Sequence, residues 1–236
     1  MGAALLALGA AAAAAAGAAA HGAFHRNSPL FGRVLARLPH DPTAGGRPTV
    51  ALTFDDGPNP RATPAVLDAL ARAGAPATFF VLGRHTDRWP ELVRRAADEG
   101  HQLGNHGYAH RALHRRTPGY VRRDLALGAA AIERAAGVRP RLFRAPHGFR
   151  SPWVTPIARS LGQRTVGWSL GVWDTERPGP AEIARRVLAG VRPGAIVLLH
   201  DGDGYDPGGD RTQTALALPA IIDGLRGRGY ELVALR

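Results

Sequence analysis

The sequence predicts an α/β fold, a closed βα barrel with its polar residues gathered at one mouth. Short apolar runs alternate with longer helical patterns, and those patterns carry start and stop residues. The runs are Thr49 to Phe54, Ala77 to Leu82, His101 to Gly104, Arg141 to Phe143, Arg164 to Ser169, Ala195 to Leu199 and Tyr230 to Leu235. Between them, Thr63-Pro64, Thr117-Pro118 and Ser151-Pro152 each place a capping hydroxyl before a first-turn proline. Gly74, Gly100, Gly137 and Gly162 stand where helices would stop. Such alternation gives a mostly parallel sheet, open or closed. The third observation decides between them: Asp55 and Asp56, His106 and His110, Arg144, Asp174 and His200 lie at or just past the ends of different runs. An open sheet gathers only the residues near its switch point, whereas a barrel brings every strand end to one mouth.

Before residue 49 the chain has another character. Residues 1–22 form an uncharged Ala/Leu/Gly tract, read as a membrane-associated or signal segment, with Ala18-Ala19-Ala20 before His21 suiting a signal-peptidase site. No basic residue precedes the tract, while Arg26, Arg33 and Arg37 follow it, so its orientation stays open. Residues 23–48 are turn-rich and end in Pro39-His40-Asp41-Pro42-Thr43-Ala44-Gly45-Gly46-Arg47-Pro48, which reads as a linker, leaving 49–236 as the main domain.

A chain of 236 residues with 45% hydrophobic content can bury one sizeable core. The net charge of +11 comes with 30 basic residues, all Arg, scattered as in Arg94-Arg95, Arg115-Arg116 and Arg185-Arg186 rather than interleaved with aromatics. That pattern describes a solvated basic surface and argues against a nucleic-acid partner. The absence of cysteine excludes disulfides and thiolate metal sites.

The densest polar stretch is Gly104-Asn105-His106-Gly107-Tyr108-Ala109-His110. On a helical turn, two histidines four residues apart would project from one face and grip one metal ion. His114 continues the spacing as a spare or alternative ligand, and the Asp55-Asp56 pair is a natural source of a third ligand. A two-His, one-carboxylate site leaves positions open for water and substrate, which suits catalysis. Neighbouring residues leaving a strand point in different directions, so one Asp can bind metal while the other serves as base.

At these residues the sequence resembles the polysaccharide deacetylases, carbohydrate esterase family four. Thr53-Phe54-Asp55-Asp56-Gly57-Pro58 is similar to the family's first motif, His106-Gly107-Tyr108-Ala109-His110 to the second and Arg144-Ala145-Pro146-His147-Gly148 to the third. Val172-Trp173-Asp174 is similar to part of the fourth and Leu198-Leu199-His200 to the fifth, all in family order. The resemblance implies a distorted (β/α)7 TIM-like barrel. It makes Asp56, His106 and His110 the ligands of a divalent metal, Asp55 the general base and His200 the general acid. Arg144 would hold a carboxylate ionised and oriented, with Asp174 the partner of either Arg144 or His200. Leu198 would face the acetyl methyl group, and the backbone N–H near His147 would help hold the oxyanion. Two imidazoles and a carboxylate suit Zn²⁺ best and also fit Co²⁺, Ni²⁺ or Fe²⁺.

The implied reaction is hydrolysis of an N-acetyl group on a sugar of a polysaccharide, with peptidoglycan or another envelope glycan as substrate if the N-terminal tract exports the domain. Four positions depart from the family pattern: Gly107 replaces Ser or Thr, His147 replaces Tyr, Gly171 replaces Asp, and Thr175 replaces Trp. Trp153, Trp168 and Trp173 could supply a sugar-stacking surface, Trp173 within the fourth motif. The same barrel could instead cleave an O-acetyl ester or a non-sugar amide, or bind glycan without turnover. The last needs a broken constellation, and every ligand, acid and base position here is filled.

Overall fold

In a computed structural model, which describes residues 2–39 and 46–236, the elements run in chain order as α1 (Gly2–Phe24), β1 (Thr49–Asp55), α2 (Ala62–Ala73), β2 (Thr78–Val81), α3 (Gly83–Thr86), α4 (Pro90–Asp98), β3 (Gln102–Asn105), α5 (Pro118–Ala136), β4 (Leu142–Phe143), α6 (Val154–Ser160), β5 (Arg164–Thr165), β6 (Leu170–Gly171), α7 (Pro180–Gly190), β7 (Ala195–His200), α8 (Thr212–Gly227) and β8 (Glu231–Leu232). The strands pair in parallel in the order β5-β4-β3-β2-β1-β7-β6, and β8 adds to the start of β1 at Thr49 and Val50. Seven strands in this path, with β8 added at β1, make a curled sheet clothed in helices, a distorted (β/α)7 barrel whose strands β5 and β6 do not pair, so it is not closed as the sequence suggested.

The period-two alternation of the central strands explains the layering. On β1 and β7, Val50, Leu52, Phe54, Val197 and Leu199 point outward into the main core with α2, α7 and α8. Their neighbours Ala51 and Ile196 point inward and meet Phe80, Leu142, Val166 and Leu235. Both faces are therefore apolar near the bottom of the strands, and each fully buried side chain of this size contributes about 1.5–3 kcal/mol. Only toward the C-terminal ends do inward positions turn polar.

The run Arg164 to Ser169 is not one strand. Beyond Thr165 the chain leaves β4 and crosses the gap between the two sheet ends, where the Ser169 N–H donates to the Ile196 carbonyl at 3.1 Å. It then pairs with β7 as β6, a strand not foreseen because it is two residues long with no periodicity to read. The gap is also covered by residues read as linker. Leu35 exchanges backbone hydrogen bonds with Thr165 and Gly167, and the Leu38 N–H donates to the Gly194 carbonyl. The rest of the predicted linker includes residues 40–45, which lie outside the described residues.

The helix signals fare unevenly. Thr117 caps α5 by accepting from the Tyr120 N–H, and Gly74 and Gly137 end α2 and α5 in the left-handed conformation. Thr63 lies inside α2, which is capped instead by the Asn59 side chain accepting from the Arg61 and Ala62 N–H groups, each at 2.9 Å. Ser151-Pro152 precedes α6 by more than a cap position, since that helix starts at Val154. No helix among the described residues is long and apolar enough to cross a membrane; residues 9–20 of α1 are exposed.

Candidate active site

Register alone builds one wall. In the parallel β1–β7 pair, Thr53 lies beside Leu198 and Asp55 beside His200, all on inward positions. Arg144, just past β4, reaches across the barrel and donates to Asp55 Oδ1 at 2.7 Å, Thr53 Oγ1 at 2.8 Å and the Gly167 carbonyl at 2.8 Å. It is completely buried, with its guanidinium carbon 4.1 Å from the centre of the Phe80 ring. A buried cation needs such partners, because desolvation opposes its charge, although the Arg144 Nε is left without one.

Asp174 belongs to His200, which settles the alternative left open by sequence. Its Oδ1 accepts from His200 Nδ1 at 2.8 Å, and its Oδ2 accepts from the His200 N–H at 2.8 Å and from Thr214 Oγ1 at 2.9 Å. This leaves Nε2 as the free ring nitrogen. Burial disfavours charge on His200, but the Asp174 carboxylate, helped by Asp56 and Asp55, outweighs it and pushes the imidazole up to about 9.

The opposite wall is made by loops. Residues 106–110 are not helical: Gly107 and His110 have φ of 80° and 52°. The histidine pair is brought together by a folded-back loop rather than by helical periodicity. His106 Nδ1 is 2.8 Å from the Arg144 carbonyl, which can only accept, so the ring proton sits there and Nε2 presents a lone pair. That Nε2 lies 3.4 Å from Asp56 Oδ1, and His110 Nε2 lies 3.1 Å from the same oxygen.

Asp56 Oδ1 is buried yet has no hydrogen-bond donor. Ligand atoms of Asp56, His106 and His110 all fall within 4.8 Å of one another. Converging lone pairs around an orphaned carboxylate oxygen fit a divalent cation. His114 is not part of this group; it packs edge-on against Phe24 and Phe149.

These walls enclose a cavity of about 550 Å³. Every site residue expected from sequence lines it except Arg144, which stands behind Asp55. Trp168 and the exposed Trp173 also line it, whereas Trp153 is elsewhere, donating to the Arg116 carbonyl. His147 adopts φ 60° and ψ 0°, and burial followed by the nearby His110 and His106 pushes its imidazole down to about 4. Its Nε2 is 3.0 Å from Tyr205 Oη, so the two residues bridge the rim.

Sequence reading missed Tyr205 and Thr214, and also Phe24 and Arg26, which reach the cavity from the N-terminal segment. Thr53, within the first motif but without a role assigned from sequence, carried a usable signal, lying two residues before Asp55 on the same strand face. A larger groove, about 1030 Å³, runs between residues 32–37 and α6, away from these groups, and brings no catalytic side chains together.

A family model described as polysaccharide deacetylase matches residues 43–166, and the chain belongs to that family. It is 43% identical over 196 residues to a chitooligosaccharide deacetylase of Bradyrhizobium sp. (strain ANU 289), covering 79% of this chain and 89% of that protein. It is 38% identical to a peptidoglycan-N-acetylglucosamine deacetylase of Bacillus cereus, covering 79% of this chain and 85% of the relative. Among solved structures, the Bc1960 peptidoglycan N-acetylglucosamine deacetylase superposes with a TM-score of 0.79 at 32% identity, covering 86% of this chain and 90% of the other.

Proposed function

We propose that this protein is a metal-dependent deacetylase that hydrolyses N-acetyl groups from sugar residues of a glycan and releases acetate. The observation that carries the reading is the split of two adjacent acids: Asp55 turns to Arg144 and Asp56 turns to the histidine pair. Asp55, aimed by Arg144, takes the proton of the attacking water. His200, oriented by Asp174 and protonated at neutral pH, gives a proton to the departing nitrogen as the C–N bond breaks. Leu198 offers the acetyl methyl group an apolar wall, and the backbone N–H at His147 donates to the oxyanion. Trp173 presents an exposed ring to a sugar face at the rim.

The cation held by Asp56, His106 and His110 supplies Lewis acidity, polarising the acetyl carbonyl and acidifying a water. Zn²⁺ suits that donor set best, with Co²⁺, Ni²⁺ and Fe²⁺ as alternatives. The relatives' substrates support chitin-type oligosaccharides and peptidoglycan as the glycans to test. Localisation at the membrane or in the envelope is part of this proposal, supported by the uncharged residues 1–20 that precede the domain.

The test is acetate release by the Zn²⁺-loaded protein from a panel of N-acetylated chitooligosaccharides, peptidoglycan and O-acetylated glycans. Release from an N-acetylated member is expected. Release from the O-acetylated members alone would replace the amidase reading with an esterase, and binding without release would sink both.

A further inference from the structure

The loop that carries the two histidines pairs its N–H groups at 106–109 without a helix. The His106 N–H donates to the Val81 carbonyl, and the carbonyls of Gly107 and Tyr108 accept from the N–H groups of Gly83 and Arg84. The Gly107 N–H donates to Asn105 Oδ1 at 2.9 Å. Two further donors, the N–H groups of Tyr108 and Ala109, go to a single side chain: Asp124 on α5 accepts them at 3.0 Å through Oδ2 and 3.2 Å through Oδ1. Asp124 is 4% exposed and makes no ion pair among the described residues. A buried carboxylate spent on two amide donors, with no cation beside it, calls for a reason beyond helix packing.

The reason lies in what each histidine depends on. The His106 ring is pinned by its own contact with the Arg144 carbonyl. His110 has no such hydrogen bond: its Nδ1 is buried without a partner, and its ring is placed by the backbone at 108 and 109 together with packing against Gly204, His147 and Tyr205. The loop is also shaped to admit the carboxylate. Gly107 has φ 80°, and a Cβ there would stand 2.5 Å from Asp124 Oδ2. One turn further along α5, Gly128 lets the helix backbone come close, since a Cβ there would sit 2.9 Å from the Gly107 carbonyl group.

We infer that Asp124 is a positioning residue of the metal site: its carboxylate occupies the space a side chain at 107 would fill and sets the separation of His106 and His110. Gly107, where the family pattern has Ser or Thr, is then the partner of Asp124 rather than a defect. This inference rests on the reading that Asp56, His106 and His110 hold a divalent cation.

The test compares the full-length protein with Asp124→Ala and Asp124→Asn. The readouts are Zn²⁺ affinity by competition with a chromophoric chelator, the visible absorption of the Co²⁺ form, and the Tm of the metal-free protein. Asp124→Ala is expected to raise the Zn²⁺ Kd by about 10–100-fold, the range for groups that orient ligands, and to change the Co²⁺ spectrum. Asp124→Asn keeps one acceptor oxygen and turns a donor toward the second N–H, so it also weakens binding. A merely structural role would lower the metal-free Tm and leave Kd and spectrum unchanged.

Wild-type affinity and spectrum in Asp124→Ala, or in Asp124→Asn should the alanine variant not fold, would overturn the inference alone. Failure of the unmutated protein to take up either Zn²⁺ or Co²⁺ would overturn the metal reading and this inference with it.

Discussion

On the β1/β7 side of the cleft each charged group has its counter-charge in place: Arg144 meets Asp55 at 2.7 Å, and Asp174 meets His200 at 2.8 Å. On the β3 side, Asp56, His106 and His110 turn lone pairs toward one another, and the Asp56 Oδ1 atom is left without a donor. The first half forms its ion pairs within the chain; the second turns an unpartnered carboxylate oxygen and two imidazoles to one point, a group that fits a cation. Adjacent acids fall on opposite sides because Asp55 is the last residue of a strand with inward-facing register, while Asp56 turns away at φ 74°. The difference teaches that the roles proposed for the two acids, proton transfer and metal binding, rest on different contacts even though the residues adjoin in sequence and Asp55 Oδ2 lies 3.7 Å from His106 Nε2.

That separation can be broken from either side. The largest effect is expected for His110→Ala, which should lose Zn²⁺ affinity by more than about 100-fold, beyond the range for ligand-orienting groups, and lose activity with it. Asp55→Asn should bind metal as the unmutated protein does, yet lose about 10²–10⁴ in kcat. Metal content and acetate release, measured on both variants, check the pair. Metal loss in Asp55→Asn would show that the two acids are not divided as described.

Arg144→Ala probes the completed half through stability. It strands Asp55 in a buried site, which costs about 3–5 kcal/mol by denaturant titration, while leaving the Asp56 ligand set intact. Unchanged stability would mean that water or another donor replaces the guanidinium.

The smallest effect sharpens the acid assignment. His200 is raised to about 9 in the folded protein, so its proton is present at neutral pH and activity should fall as pH rises through about 9. The associated stability is full below the ordinary imidazole range, near 6.5, and is lost through the same upper window. Asp174→Asn removes the counter-charge, burial then dominates, and the descending limb of kcat/KM should move to lower pH. A limb that stays in place would assign it to another group.

Much of this site was legible in sequence for a physical reason. Strand ends converge in a barrel, so Asp55, Asp56, His106, His110, Arg144, Asp174 and His200 could be assigned to one mouth from their place after apolar runs. The histidine spacing gave the right pair by the wrong geometry: a helix was expected where a loop with two positive-φ residues stands. Partner choice was not legible either, since Arg144 and Asp174 are each near several charges in sequence order and only the crossing of the barrel by Arg144 assigns them. Contributions from Tyr205, Phe24 and Asp124 carry no local pattern at all.

The sequence by itself determined the alternation of strands and helices and the chemistry available at the strand ends, because apolar periodicity and the polar residues that interrupt it are local properties. Only the tertiary structure decided that residues 166–169 cross the seam, that residues 35–38 cover it, and that Asp124 reaches under the histidine loop. Those outcomes turn on which buried polar groups find partners, and in a low-dielectric interior such partners are set by distances between segments far apart in the chain.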